Sequence, residues 1–169
     1  NMDLIAGLPG DTAEKFAASL SQVLALHPSN VTVHTLALKK GANLFQNRTA
    51  LPSREAVGQM LHDAEQALRA CGFEPYYLYR QKYMSGSFEN VGWCKDGYLG
   101  LYNIYMMEEL HTILSLGGGG MNKINLPEEK LARYHNPKIP QDYISRIDTI
   151  LQQKDEIFSI LREIREQNP

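Results

Sequence analysis

The rhythm of apolar and polar positions changes several times along the chain, and each change marks an element. Met2 to Ala6 is a short apolar run that predicts a strand, with Asp3 and Ile5 on one face and Leu4 on the other. Gly7-Leu8-Pro9-Gly10 then turns the chain. Asp11-Thr12-Ala13-Glu14 has capping-box spacing, a side-chain acceptor followed three residues later by glutamate. Phe16, Leu20, Val23 and Leu24 recur at helical intervals until His27-Pro28-Ser29 stops them. Asn30 to Leu38 alternates and is rich in β-branched residues, which predicts a second strand. Strand, helix and strand in this order predict a parallel pair with a right-handed crossover.

Beyond Lys39-Lys40-Gly41 a polar loop runs to Pro52. Ser53 is placed to cap a helix whose apolar face is Val57, Leu61, Ala64 and Leu68. Gly58 costs that helix about 1 kcal/mol relative to alanine, and Cys71-Gly72 ends it. Phe73 to Tyr79 is aromatic and reads as a strand, whereas the glycine-rich stretch from Gln81 to Gly100 reads as a long ordered loop. Leu101 to Leu110 fits helix or strand, and Thr112 to Leu116 reads as a strand running into Gly117-Gly118-Gly119-Gly120. From Ile139-Pro140-Gln141-Asp142 onward, Tyr143, Ile147, Ile150, Leu151, Ile157, Leu161 and Ile164 recur near a helical period, predicting an amphipathic helix or a helix pair.

Composition narrows the classes of function. A chain of 169 residues has the size of an ordinary domain, and 43% hydrophobic with 21% charged residues is globular composition. A formal charge of −2 gives no electrostatic reason to expect nucleic acid or an anionic membrane as a partner. No apolar run reaches the ~18 residues of a membrane helix. Two cysteines, Cys71 and Cys94, are too few for a disulfide framework, so a reducing cytoplasm is expected. The chain opens on a strand with no basic leader, from which we expect it to begin inside a longer polypeptide.

The candidate chemistry is sparse. A carboxylate inside an apolar strand needs a partner, so Asp3 is either a structural ion-pair or turn residue or a ligand contact at the end of a barrel strand. Gly7 to Gly10 leads into a helix, where free N–H groups can meet an anion, but it matches no nucleotide-binding fingerprint and reads first as a tight turn. His34, on the second strand, is either a satisfied core residue or a ligand or base. His27, His62, His111 and His135 are scattered without zinc-ligand spacing, and the cysteines are isolated, so no metal site from this chain alone is expected. Gly117 to Gly120 is either a flexible loop or a place where backbone closely approaches a bulky ligand.

Taken together the strings resemble one family, the oxygen-independent coproporphyrinogen oxidases. Asp3-Leu4-Ile5-Ala6-Gly7-Leu8-Pro9-Gly10 is similar to a string in that family's later barrel strands. Val33-His34-Thr35-Leu36-Ala37-Leu38-Lys39-Lys40-Gly41 falls where the family has its next strand and an adenine-contacting turn. Leu114-Ser115-Leu116 followed by Gly117 to Gly120, Met121 and Asn122 resembles the family's glycine-rich segment near the substrate pocket. Arg80-Gln81-Lys82-Tyr83 through Glu89-Asn90-Val91-Gly92 resembles the HemZ-type branch, the coproporphyrinogen dehydrogenases of Gram-positive bacteria.

The resemblance implies an α/β fold: residues 1–72 as the last units of a partial (β/α) barrel of radical SAM type, and 73–169 as a family-specific α+β extension. It implies S-adenosylmethionine and a [4Fe–4S] cluster as cofactors, the cluster sitting on a CxxxCxxC loop in the family's first half. It also implies oxidative decarboxylation of two propionates of coproporphyrinogen III to vinyl groups in heme biosynthesis. Asp3, Ile5, His34 and Ala37 would lie at S-adenosylmethionine, with Gly118, Gly119, Gly120 and Met121 facing the substrate. The cysteine loop is absent from this chain. The chain by itself is therefore expected to be inactive and to need its N-terminal half, a tetrapyrrole substrate and a reductase or flavodoxin-type electron donor. Where heme-delivering relatives carry HNxxYW, this chain has Tyr102-Asn103-Ile104-Tyr105-Met106-Met107, which lowers the expectation of heme transfer without removing it. A first strand lacking its upstream neighbour is further expected to drive edge-to-edge association.

Overall fold

The computed structural model describes residues 1–38, 43–46, 49–80, 88–128 and 130–167. Lys39-Lys40-Gly41 and the 81–87 part of the stretch that resembles the HemZ-type branch lie outside them. Contacts gather the mixed α/β chain into two compact units, Asn1–Met107 and Glu108–Pro169.

In the first unit the elements are β1 (Met2–Ala6), α1 (Ala13–Ala25), β2 (Asn30–Thr35), α2 (Asn43–Gln46), α3 (Arg54–Ala70), β3 (Phe73–Tyr79), β4 (Asn90–Lys95) and α4 (Leu101–Met107). β1 and β2 pair in parallel across α1, as their order along the chain requires, with Ile5 beside His34 and Asp3 beside Thr32. The sheet order is β1-β2-β4-β3, with β4 antiparallel to both of its neighbours. The boundary drawn at 72/73 is not where contacts divide, because β3 and β4 complete the sheet that β1 and β2 begin.

α1 starts one residue later than the capping-box spacing indicated. Thr12 is the extended N-cap, and its hydroxyl accepts from the Lys15 amide at 3.3 Å, while the Asp11 carboxylate accepts from the Thr12 amide at 3.1 Å. Ser53 caps α3 as predicted, accepting from the Ala56 amide at 3.2 Å. From α3, Val57, Met60, Ala64 and Leu68 are buried, with Leu61 partly so. They pack with Phe16 and Leu20 of α1 on Ala6, Val31, Val33, Phe73 and Trp93 of the sheet. Gly58 leaves room for the Phe88 ring, which an added Cβ would meet at 3.3 Å. Full burial of each large apolar side chain in this layer contributes about 1.5–3 kcal/mol.

Three elements depart from expectation. β2 ends at Thr35 rather than Leu38, and Leu36 donates its amide back to Ala6 O at 3.0 Å. Residues 90–95, read as loop, form the central strand β4. Gly92 diluted the apolar pattern, and it is glycine because the Tyr77 ring lies on it, 1.8 Å from where a Cβ would stand. The stretch from Leu101, open between helix and strand, is helical as far as Met107.

The second unit is a hairpin, β5 (Met121–Leu126) and β6 (Lys130–His135), with two helices, α5 (Pro140–Ser145) and α6 (Ile147–Gln167). The terminal apolar period is thus a helix pair, with Ile150 and Ile157 buried. The hairpin escapes a hydrophobic reading because its buried face carries Asn122 beside Ile124, both fully buried. Thr112–Leu116 is not a strand: only Ile113 bridges to Lys123, and the Ser115 amide donates to the Asn122 side chain at 2.9 Å instead of entering a ladder. No helix is long and apolar enough to cross a membrane among the described residues.

Candidate functional site

Alternation along a strand sends successive side chains to opposite faces of the sheet. In the first unit one face is the apolar layer under α1 and α3. The opposite face receives Asp3 and Ile5 from β1, Thr32 and His34 from β2, Gly92 from β4, and Tyr77 and Tyr79 from β3, as the strand register dictates. This face is built of hydrogen-bonding groups. The Tyr79 hydroxyl lies 3.2 Å from His34 Nδ1, and His34 Nε2 lies 3.7 Å from Asp3 Oδ1. A second line runs beside it, with Thr32 Oγ1 3.2 Å from the Tyr77 hydroxyl. The rings of Tyr77 and Tyr79 are nearly parallel, their centroids 6.4 Å apart.

Asp3 is not buried. Its side chain is 59% exposed because β1 is an edge strand and Asp3 points away from the helices, so the desolvation cost that demanded a fixed partner does not arise. Asn1 Nδ2 donates to Asp3 Oδ1 at 2.9 Å, and the carboxylate keeps open acceptor sites. Ile5 is half-exposed beside His34, whose own side chain is largely covered. Ala37 is half-buried two residues past the end of β2, near the end of the sheet where Ile5, His34 and Tyr79 lie. At that end the Asn90 side chain, nearly fully buried, accepts from the Thr35 amide at 2.7 Å and ties β4 to the last residue of β2. Asp3, Ile5 and His34 thus share one face.

Tyr77, Tyr79, Thr32 and Asn90 were not singled out from the sequence. The hint was available in Tyr77-Leu78-Tyr79, where alternation puts both phenols on one face. Their meeting with His34 depends on β4, which the glycine content concealed. In the middle of β3, Asn103 donates to the Tyr76 hydroxyl at 2.8 Å, and burial holds that phenol above its ordinary pKa. On the helical side of the same sheet, a cleft of about 320 Å³ between Leu61, Phe88 and Trp93 is separate from this face.

The glycine run lies in the second unit and is an ordered turn. Gly117 and Gly119 have φ of 89° and 74°, a left-handed conformation that glycine adopts at no steric cost. Gly119 donates to Pro137 O at 2.7 Å, and Asn136 Nδ2 donates to Gly117 O at 2.8 Å. A Cβ on Gly120 would stand 2.3 Å from Ser115 Oγ. The close approach that these glycines permit is therefore to their own chain. Met121, first in β5, is 37% exposed.

An exposed carboxylate, an imidazole and a phenol beside an aliphatic side chain suit a ligand with hydroxyl or ammonium donors and a flat apolar part, which fits S-adenosylmethionine. The cluster finds no fit. Cys71 is exposed at the C-cap of α3 and Cys94 is buried in β4, where burial pushes its thiol pKa up. No group of three or more His, Cys, Asp and Glu placed to hold a metal exists among the described residues.

No protein-family model matches the chain. It is 41% identical over 91% of its length to the oxygen-independent coproporphyrinogen-III oxidase-like protein HemZ of Bacillus subtilis. It is 23% and 22% identical, over 85% of its length, to the heme chaperones HemW of Haemophilus influenzae and Escherichia coli. The solved coproporphyrinogen III oxidase (HemN) of Escherichia coli, described as a radical SAM enzyme, matches with a TM-score of 0.62 and 19% identity over 87% of this chain. The chain spans about a third of the length of these relatives, 31% of the HemZ protein and 33% of the HemN chain.

Proposed function

This chain belongs to the oxygen-independent coproporphyrinogen oxidase family of radical SAM proteins, and we propose that it is the later part of a member that decarboxylates coproporphyrinogen III oxidatively. On this reading β1 and β2 are the last strands of a partial barrel, the face bearing Asp3 is the barrel's interior, and the rest is the family-specific extension. The observation that carries the reading is the line Asp3–His34–Tyr79 on the sheet face turned away from the helices, within a chain 41% identical to the HemZ protein. S-adenosylmethionine, when bound, supplies the radical that removes hydrogen from the propionate arms. Asp3 would accept hydrogen bonds from its ribose or amino-acid part, Ile5 would contact it, and the Ala37 backbone would meet the adenine with His34 beside it. The cluster ligands come from polypeptide outside this chain, since two cysteines cannot supply three thiolates. The tetrapyrrole, an electron donor and the remaining polypeptide are the proposed partners, and the open edge of β1 is where a further strand pairs.

The test uses the complete polypeptide, reconstituted anaerobically with iron and sulfide, reduced, and supplied with S-adenosylmethionine and coproporphyrinogen III. Formation of 5′-deoxyadenosine and protoporphyrinogen IX is expected, with Asp3→Ala raising the KM for S-adenosylmethionine. This chain alone is expected to form neither. The matches to heme chaperones favour a second reading, heme delivery without coproporphyrinogen turnover. Stoichiometric heme retention by the complete protein, with no product from coproporphyrinogen, would select it.

A further inference from the structure

α6 sets a cation in apolar surroundings. Lys154 Nζ donates to Ser115 O at 2.6 Å and to Asn122 Oδ1. Asn122 is fully buried, and its carboxamide also accepts from the Ser115 amide and donates to Tyr134 O at 3.2 Å, so the group that aims the amine is itself fixed from two sides. Around the amine opens a cleft of about 570 Å³ lined by Leu114, Leu116, Leu151 and Phe158. These four side chains are 40%, 87%, 54% and 45% exposed, an apolar surface that water covers at a cost. Lys154 makes no ion pair among the described residues, and Asp155, which also lines the cleft, is exposed and not paired with it. Partial burial without a counter-charge holds the amine below its ordinary pKa. A half-buried ammonium with two neutral acceptors keeps a third proton for an anion.

We infer that this cleft binds the tetrapyrrole, the macrocycle lying on Leu114, Leu116, Leu151 and Phe158 and one propionate carboxylate pairing with Lys154. The chemistry asked of the ligand is an apolar body edged by carboxylates. The choice of tetrapyrrole as that ligand rests on the function proposed above. The volume falls within the ~300–1,000 Å³ usual for small-molecule sites. A carboxylate meeting a partly desolvated ammonium makes a short, charge-assisted hydrogen bond, the strong kind. The glycine turn serves the cleft indirectly, since Gly120 lets Ser115 approach and Ser115 O holds Lys154.

The experiment titrates coproporphyrin III, and separately its tetramethyl ester, into the complete protein and follows porphyrin fluorescence. Lys154→Met keeps the apolar stem and is expected to weaken the acid about tenfold or more while leaving the ester unchanged. Leu116→Asp, at an exposed position that folding does not depend on, is expected to weaken both. An unchanged affinity of Lys154→Met for coproporphyrin III, with a melting curve like that of the parent, overturns the inference. A loss shared equally by acid and ester in Lys154→Met overturns the propionate pairing as well. S-adenosylmethionine cleavage measured alongside separates the two claims. Normal cleavage and turnover with unaltered porphyrin affinity in Lys154→Met sinks this site alone. Absent turnover with selective loss of the acid sinks the proposed reaction and keeps the site.

Discussion

The two units solve the same problem, holding a small sheet against helices, with different materials. Asn1–Met107 buries a contiguous layer of Phe16, Leu20, Val31, Val57, Met60, Leu68, Phe73 and Trp93. Among the described residues Glu108–Pro169 buries few large apolar side chains, Ile124, Ile150 and Ile157, and its interior also holds the carboxamides of Asn122 and Asn136. Burial is non-directional and tolerates local change, whereas a buried carboxamide holds backbone in one geometry and fails when one partner is lost. The first unit therefore sets an apolar layer on one face of its sheet and leaves the opposite face to hydrogen-bonding side chains. In the second, the Asn122 carboxamide that holds the fold also aims Lys154.

Four measurements press on that contrast. Phe73→Ala empties the centre of the apolar layer, and we expect a loss of about 3–5 kcal/mol in denaturant unfolding, confined by hydrogen exchange to the first unit. A loss below about 1 kcal/mol would mean that this layer is not what holds the sheet. Asn122→Ala strands the Ser115 amide and two partners of the Asn122 side chain in the second unit, at about 2–3 kcal/mol. The informative reading is faster exchange at Ser115 with the first unit unaffected; uniform acceleration would show that the units do not unfold separately.

Gly92→Ala is next. The new Cβ collides with the Tyr77 ring, so we expect about 1–3 kcal/mol of destabilisation and displacement of Tyr77 from Thr32, seen as changed tyrosine ring resonances. Retained ring positions would place the accommodation in the backbone instead. The smallest effect concerns Glu109. Lys123, and then Arg133, hold its carboxylate below the ordinary 4.5 of a glutamate. A depressed folded-state pKa means that this stabilisation is present above about 4.5 and is lost as pH falls through the lowered value. Glu109→Gln should flatten the second unit's stability below pH ~4.5 while leaving that of the first unchanged. The same acid slope in both proteins would assign the acid sensitivity elsewhere.

Local order along the chain was enough to place β1, α1, β2, α3 and β3, though not the start of α1 or the end of β2, because their apolar positions follow one period and ends such as Ser53 and Gly72 act on the residues next to them. The parallel pairing of β1 and β2 followed too, since a helix lies between them. Motif strings alone identified the family, and alternation put Asp3 and Ile5 on one face. What needed the tertiary structure was everything that depends on a distant partner. β4 is a central strand only because β2 and β3 flank it, and Gly92 is explained only by the ring of Tyr77. Tyr79 joins His34 through a strand order that no local period encodes. Asn122 reads as a polar loop residue until Ser115, Tyr134 and Lys154 converge on it. Periodicity reports which residues seek burial. A polar group becomes an interior group only when remote partners satisfy it, and that information exists in the folded molecule alone.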